Sequence, residues 1–104
     1  MRRDTPLNLG ALTAVGYEDL VVGVDVVALT VPPTAEYAFI AVDDEAIRWK
    51  TGDDDPTSSS GIPVVSGDYI NFMDPGFAFR ALLLGFKAIR SGDADATLRI
   101  EYYG

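Results

Sequence analysis

The pattern of apolar and polar positions is clearest between residues 28 and 50. An apolar run at 37–42 is followed by the acidic Asp43-Asp44-Glu45 and then by Ile47-Arg48-Trp49-Lys50, in which apolar and cationic side chains alternate. Alternation of this kind is typical of a β-strand with one buried face. The stretch therefore predicts a β-hairpin at 36–50 with one face on the core.

Further strand-like runs follow the same logic. The run at 20–31 is rich in β-branched residues and ends at Pro32-Pro33, because proline cannot donate to a strand ladder. Runs at 86–90 and 97–103 flank a Ser-Gly-Asp turn and predict a second hairpin. With two short runs at 62–65 and 69–72, the chain has about seven strands. The fold class expected is all-β: a single-domain antiparallel β-sandwich, for which a jelly roll is one suitable arrangement.

The length of 104 residues fits one domain with one core. Residues 1–20 contain Pro6, Gly10 and Gly16 and are predicted to be an N-terminal arm or edge segment, and residues 21–104 the β-sandwich domain. The predicted core anchors are the large apolar residues of the best strands, namely Tyr37, Phe39, Ile47, Trp49, Leu98, Ile100 and Tyr102.

Apolar residues exceed what two inner sheet faces absorb. The run at 77–85 has the Ala and Leu content of a helix, yet it lies between turn signals, so a short helical or irregular segment is expected there. Surplus apolar surface indicates contacts between identical chains. A closed ring of subunits buries such surface without leaving an exposed apolar edge. We therefore expect a homo-oligomer, a trimer first, with these residues at an oligomer or partner contact: Phe77, Phe79, Leu82, Leu83 and Leu84.

Charge and composition argue against several classes of function. Sixteen acidic residues against eight basic ones give a net charge of −8, which repels a nucleic-acid backbone. The sequence has no cysteine and no histidine, and no apolar run approaches the about 18 residues of a membrane span. We expect no direct nucleic-acid binding, no membrane insertion, no cofactor and no metal.

Candidate chemical motifs have simpler explanations. Asp53-Asp54-Asp55 offers oxygen ligands for calcium, but the alternating spacing of a calcium loop is missing, and a solvated acidic loop is the favoured interpretation. Ser58-Ser59-Ser60 has no histidine to activate a nucleophile. Two carboxylates in a cleft would be needed for glycoside hydrolysis, and a domain of this size has little room for one. The prediction is that the protein is not an enzyme.

Aromatic residues suggest one binding function. Trp49, Tyr69, Tyr102 and Tyr103 have the chemistry of a sugar-stacking platform, although aromatic residues also fill the cores of small sandwiches. Alternation favours a core position for Trp49. Tyr103, on the opposite face from Tyr102, is the better exposed candidate.

Several turn and core motifs lie between residues 28 and 104. They are Thr30-Val31-Pro32, the strand Ile47-Arg48-Trp49, the loop Asp53-x-x-Pro56-Thr57-x-x-x-Gly61-x-Pro63, the turn Gly67-Asp68, and the closing strand 96–103, Ala-Thr-Leu-Arg-Ile-Glu-Tyr-Tyr. In these motifs the chain resembles small structural proteins encoded in the virion gene clusters of tailed bacteriophages.

The resemblance implies a non-enzymatic β-sandwich protein, made in the bacterial cytoplasm and located in the virion. Its expected partner is a capsid or tail protein of the same particle, with the protein acting as capsid decoration, head fibre or tail accessory. A carbohydrate- or receptor-binding module on the same type of sandwich is the alternative.

Overall fold

The computed structural model describes residues 13–72 and 79–104. Within these ranges the chain forms eight strands and one short helix. They are β1 (Ala14–Val22), β2 (Val27–Ala28), β3 (Tyr37–Asp43), β4 (Ile47–Lys50), β5 (Ile62–Val64), β6 (Tyr69–Phe72), α1 (Arg80–Gly85), β7 (Lys87–Arg90) and β8 (Ala96–Tyr103).

The strands form two four-stranded sheets, ordered β1-β8-β3-β6 and β2-β7-β4-β5, with antiparallel pairing throughout. The pairs β1·β8, β2·β7, β3·β6 and β4·β5 are successive steps along one folded antiparallel ribbon. Rolling this ribbon brings β3 beside β8 and β4 beside β7, which closes the two sheets. This is the double-sheet jelly-roll arrangement of eight strands, and the predicted all-β sandwich is confirmed.

Both predicted hairpins are wrong, because their strands lie in opposite sheets. The chain crosses from β3 to β4 after Asp44, which has a positive φ of 71°, and from β7 to β8 through residues 91–95. The run at 20–31 is likewise divided, with β1 in the first sheet and β2 in the second. A turn composition marks where a strand ends, but it does not specify the sheet that the next strand joins.

The core lies between the sheets and uses alternate residues of each strand. In β3 the buried residues are Ala38, Ile40 and Val42. The predicted anchors Ile47, Leu98, Ile100 and Tyr102 are fully buried or nearly so. Trp49 is partly buried, with its ring 5.3 Å from that of Phe86 and 5.8 Å from that of Phe72.

One predicted anchor differs. Phe39 points to the outer face of the first sheet, where its ring stacks on Tyr69. Tyr37 has the same phase, but like Trp49 it is partly buried and packs against the core, with its ring edge-on to Phe79 at 6.4 Å. The core assignment of Phe39 is therefore corrected, because Ala38 and Ile40 occupy the inner phase of β3.

Helix α1 closes one part of the sandwich. Leu83 and Phe79 are buried, at 1% and 9% exposure, so these two predicted partner-contact residues belong to the core of the single chain. Leu82 and Leu84 on the same helix are exposed, at 37% and 60%. Arg80 donates from one nitrogen to the carbonyl oxygens of Pro32 and Ala35, each at 2.8 Å. The predicted contact residue Phe77 lies outside the described residues.

The N-terminal prediction falls partly on described residues. Strand β1 occupies an edge of the first sheet and continues across residues 20 and 21 to Val22. Its pairing with β8 is extended by Thr13, which exchanges two backbone hydrogen bonds with Gly104. Residues 1–12 lie outside the described residues.

Candidate functional site: the outer face of the first sheet

Aromatic side chains gather on the outer face of the first sheet. Tyr37 and Tyr103 are directly opposite each other, Phe39 is opposite Glu101, and Glu101 is opposite Tyr17 on its other side. Register and alternation thus place five rings on one face, which we call the aromatic surface: Tyr17, Tyr37, Phe39, Tyr69 and Tyr103.

Two of these rings form a stacked pair. The centroids of Phe39 and Tyr69 are 5.1 Å apart, with 29° between the ring planes. Tyr69 is 61% exposed and Tyr17 is 59% exposed. Aromatic rings are large amphipathic groups that dominate contact energetics wherever they are covered. Tyr17 and Tyr69 therefore present open ring area that the described residues leave uncovered, whereas the other three rings of the aromatic surface are partly buried.

Carboxylates hold the tyrosines in place. The Tyr17 hydroxyl donates to Asp19 Oδ1 at 2.7 Å, and the Tyr103 hydroxyl donates to Glu101 Oε1 at 2.6 Å. These hydrogen bonds raise the pKa of both tyrosines, since ionisation would place two negative charges together. The bond from Tyr17 also lowers the pKa of Asp19. Both tyrosines are therefore neutral donors at neutral pH.

Arg99 is the cation of this face. Its guanidinium lies 3.2 Å from Asp19 Oδ1 and 3.3 Å from Asp43 Oδ2. The hydrogen bond with Asp19, followed by that with Asp43, raises the pKa of Arg99. Among the residues that the structure describes, the carboxylates of Asp19, Asp43 and Glu101 share the face with this single guanidinium, which leaves a negative excess.

The outer face of the second sheet is built differently. Arg48 Nε donates to the carbonyl of Ser58 at 3.2 Å, and its Nη1 donates to that of Gly61 at 3.0 Å. Lys87 Nζ lies 3.1 Å from both the Asp53 carbonyl and Asp55 Oδ1. These cations hold the loop at 51–61, which we call the acidic loop.

The acidic loop is mostly exposed, as expected, but it is anchored. Pro56 at its centre is fully buried, and Thr57 and Ser60 exchange two backbone hydrogen bonds. The hairpin β4–β5 that this loop closes pairs strands consecutive in the chain within one sheet. The predicted solvated loop thus has a fixed position over the second sheet.

The candidate sugar-platform residues separate into two groups. Tyr69 and Tyr103 lie on the aromatic surface, whereas Trp49 and Tyr102 face the core. The sequence did not indicate Tyr17 as a site residue. It predicted a core position for Phe39 because both faces of β3 carry apolar residues. Asp43 was the available signal, since it shares the phase of Phe39 and marks that phase as the wet one.

The described residues contain no group of three or more acidic side chains that could hold a metal ion. Across residues 13–72 and 79–104, no helix is long and apolar enough to cross a membrane. Comparisons with protein-family models, curated proteins and solved structures find no match to this chain.

Proposed function

We propose that the protein is a non-enzymatic structural protein of a tailed-phage virion, assembling as a homo-oligomer and attaching to the capsid or the tail. The single observation that carries the proposal is the aromatic surface. Interface cores are enriched in Tyr, Phe and Arg, and truncations with large effects on binding concentrate in such residues. Tyr17, Phe39, Tyr69 and Arg99 give the outer face of the first sheet this composition.

Helix α1 supplies the proposed contact between copies. Leu82 and Leu84 are exposed next to the buried Leu83, so the helix presents apolar side chains outward as well as inward. A trimer is the first expectation, because a closed ring covers such residues without leaving an open end. The aromatic surface then faces the capsid or tail partner.

Particle composition and oligomeric state test the proposal. Mass spectrometry of virions purified from a lysate of the bacterium carrying the gene should detect the protein, and light scattering should give a trimer. Leu84→Ser should shift the protein towards monomer, whereas Ile62→Ser, at 52% exposure on the second sheet, is the matched control and should not. A monomeric protein absent from purified particles would contradict the proposal.

The stacked Phe39–Tyr69 pair favours a second candidate, the carbohydrate- or receptor-binding module. Exposed rings can stack against the apolar face of a sugar. Binding of a neutral hexasaccharide that is lost in Tyr69→Ala would support this function.

A further inference from the structure

The charges and the rings of the aromatic surface are interleaved. Glu101 lies between Tyr17 and Phe39 in register. Two residues earlier on β8, and on the same face, Arg99 lies between Asp19 and Ala41. We infer that the aromatic surface binds an extended, arginine-bearing segment of its partner protein, with the guanidinium groups over the exposed rings and beside the carboxylates. This inference rests on the proposed function, because it gives the chemistry of the capsid or tail partner.

The size of the face favours a segment over a globular partner. Four strands about 4.8 Å apart and up to nine residues long, at about 3.4 Å per residue, give a face on the order of 400 Å² in flat projection. A stable complex of two globular surfaces buries about 800 Å² on each side. The face therefore accommodates an extended stretch of about six residues, and several copies in an oligomer would raise the affinity by acting together.

The charge balance favours a cationic segment. Within residues 13–72 and 79–104, Asp19, Asp43 and Glu101 oppose only Arg99 on this face, and the whole chain has a net charge of −8. Each of these carboxylates accepts from one to three N–H or O–H donors, and a carboxylate has about four acceptor positions. Acceptor positions therefore remain for donors from a partner, and complementary potentials guide its approach.

The rings favour arginine over lysine. A cation over an aromatic face within about 6 Å is attracted by the ring, and arginine takes this position more often. Its planar guanidinium also stacks on rings while donating to a carboxylate at its edge. Tyr69, which stacks on Phe39 and is 61% exposed, offers such a face, and Glu101 lies opposite Phe39 in register.

Three capped hexapeptides, of arginine, lysine and glutamine, test the inference by calorimetric titration against the full chain at moderate salt. Hexa-arginine should bind most tightly, hexa-lysine at least about threefold more weakly, and hexa-glutamine not detectably. Tyr69→Ala should weaken hexa-arginine binding at least about threefold. Val65→Ala removes an equally exposed apolar side chain elsewhere, at 58% exposure, and should leave binding unchanged.

A pair of charge-matched variants separates local recognition from net charge. Glu101→Gln removes one charge from the aromatic surface, and Asp54→Asn removes one from the exposed acidic loop. Only Glu101→Gln should weaken hexa-arginine binding. Equal weakening by both variants would overturn the inference, because the attraction would then come from the net charge of the chain. Urea melts of each variant verify that the fold is intact.

A neutral hexasaccharide provides the other decisive outcome. Its binding, lost in Tyr69→Ala, together with no preference for hexa-arginine, would overturn the inference in favour of a glycan site. Failure of the inference is distinguishable from failure of the proposed function. Detection of the protein in purified virions without hexa-arginine binding overturns only the inference, whereas hexa-arginine binding by a protein absent from virions overturns only the proposed location.

Discussion

The two sheets of the jelly roll use their aromatic and charged residues in opposite ways. The second sheet turns Trp49 inward onto Phe86 and covers its outer cations with the acidic loop. The first sheet turns Phe39 outward onto Tyr69, and its outer charges pair with one another across the strands. On the second sheet, the outer cations stabilise the fold by binding the acidic loop. On the first sheet, the charged side chains pair with one another and leave the rings of Tyr17 and Tyr69 exposed. This difference is the reason we propose the first sheet, and not the second, as the surface for recognition.

The largest expected effect comes from the two aromatic residues that the sheets place on opposite sides. Trp49→Ala should lower the free energy of unfolding by about 3–5 kcal/mol, because it removes a large side chain packed on Phe72 and Phe86. Phe39→Ala should cost less than Trp49→Ala, about 1.5–3 kcal/mol, since that ring is partly buried on the outer face and stacks on the exposed Tyr69. Urea melts of both variants provide the comparison, and equal losses would contradict it.

The two arginines on the outer faces should also differ. Arg48→Ala removes the donors that hold the carbonyls of Ser58 and Gly61 and should cost about 1.5–3 kcal/mol. Arg99→Ala removes only exposed ion pairs with Asp19 and Asp43, so its shift in urea midpoint should be less than half as large. A larger shift for Arg99→Ala would mean that the first face is held together by its charges.

The adjacent tyrosines of β8 sharpen the comparison within one sheet. The inward Tyr102 hydroxyl donates to Glu18 Oε1 at 2.5 Å, and Glu18 also accepts from the backbone N–H of Thr30 at 2.9 Å. Tyr102→Phe should cost about 1–2 kcal/mol. Tyr103→Phe, which removes an outward hydroxyl, should cost less.

Stability above neutral pH should depend on Tyr102. Burial, and then the hydrogen bond to Glu18, raise the pKa of Tyr102 in the folded state. The stabilisation is therefore fully present below the unfolded pKa of about 10 and is lost as the pH rises above it. Urea melts from about pH 8 to about pH 11 should show a smaller alkaline loss of stability in Tyr102→Phe than in the parent protein. An identical loss in both would exclude this tyrosine as the cause.

The smallest effect is expected in the acidic loop. Asp55→Asn breaks the 3.1 Å bridge to Lys87, but the Asp55 side chain is 66% exposed, so the cost should be about 0.5 kcal/mol or less. Millimolar calcium should shift the melting temperature by less than about 1 °C. A clear rise with calcium, lost in Asp55→Asn, would establish a metal site in the loop.

Much of the fold was predictable because strand ends and core phases have local signals. The alternation in β8 correctly indicated Leu98, Ile100 and Tyr102 as inward residues, since Arg99 and Glu101 mark the opposite phase. The same test applied to Asp43 would have assigned Phe39 to the outer face. Two of the five rings of the aromatic surface, Tyr69 and Tyr103, were candidates for a sugar-stacking platform. Tyr17 was not, because Gly16 and the acidic Glu18-Asp19 give β1 the local composition of a loop.

The sequence by itself determined the all-β class, the strand ends at prolines and turns, and the inward phase wherever a charged residue marked the other side. These properties depend on residues within a few positions of one another. Only the tertiary structure decided which sheet each strand joins, as at 43–46 and 91–95, where predicted hairpins proved to be crossings. Register between β1, β8, β3 and β6 gathers the aromatic surface from residues up to 86 positions apart, from Tyr17 to Tyr103. Such long-range pairing is selected by burial of the whole core, which no local pattern encodes.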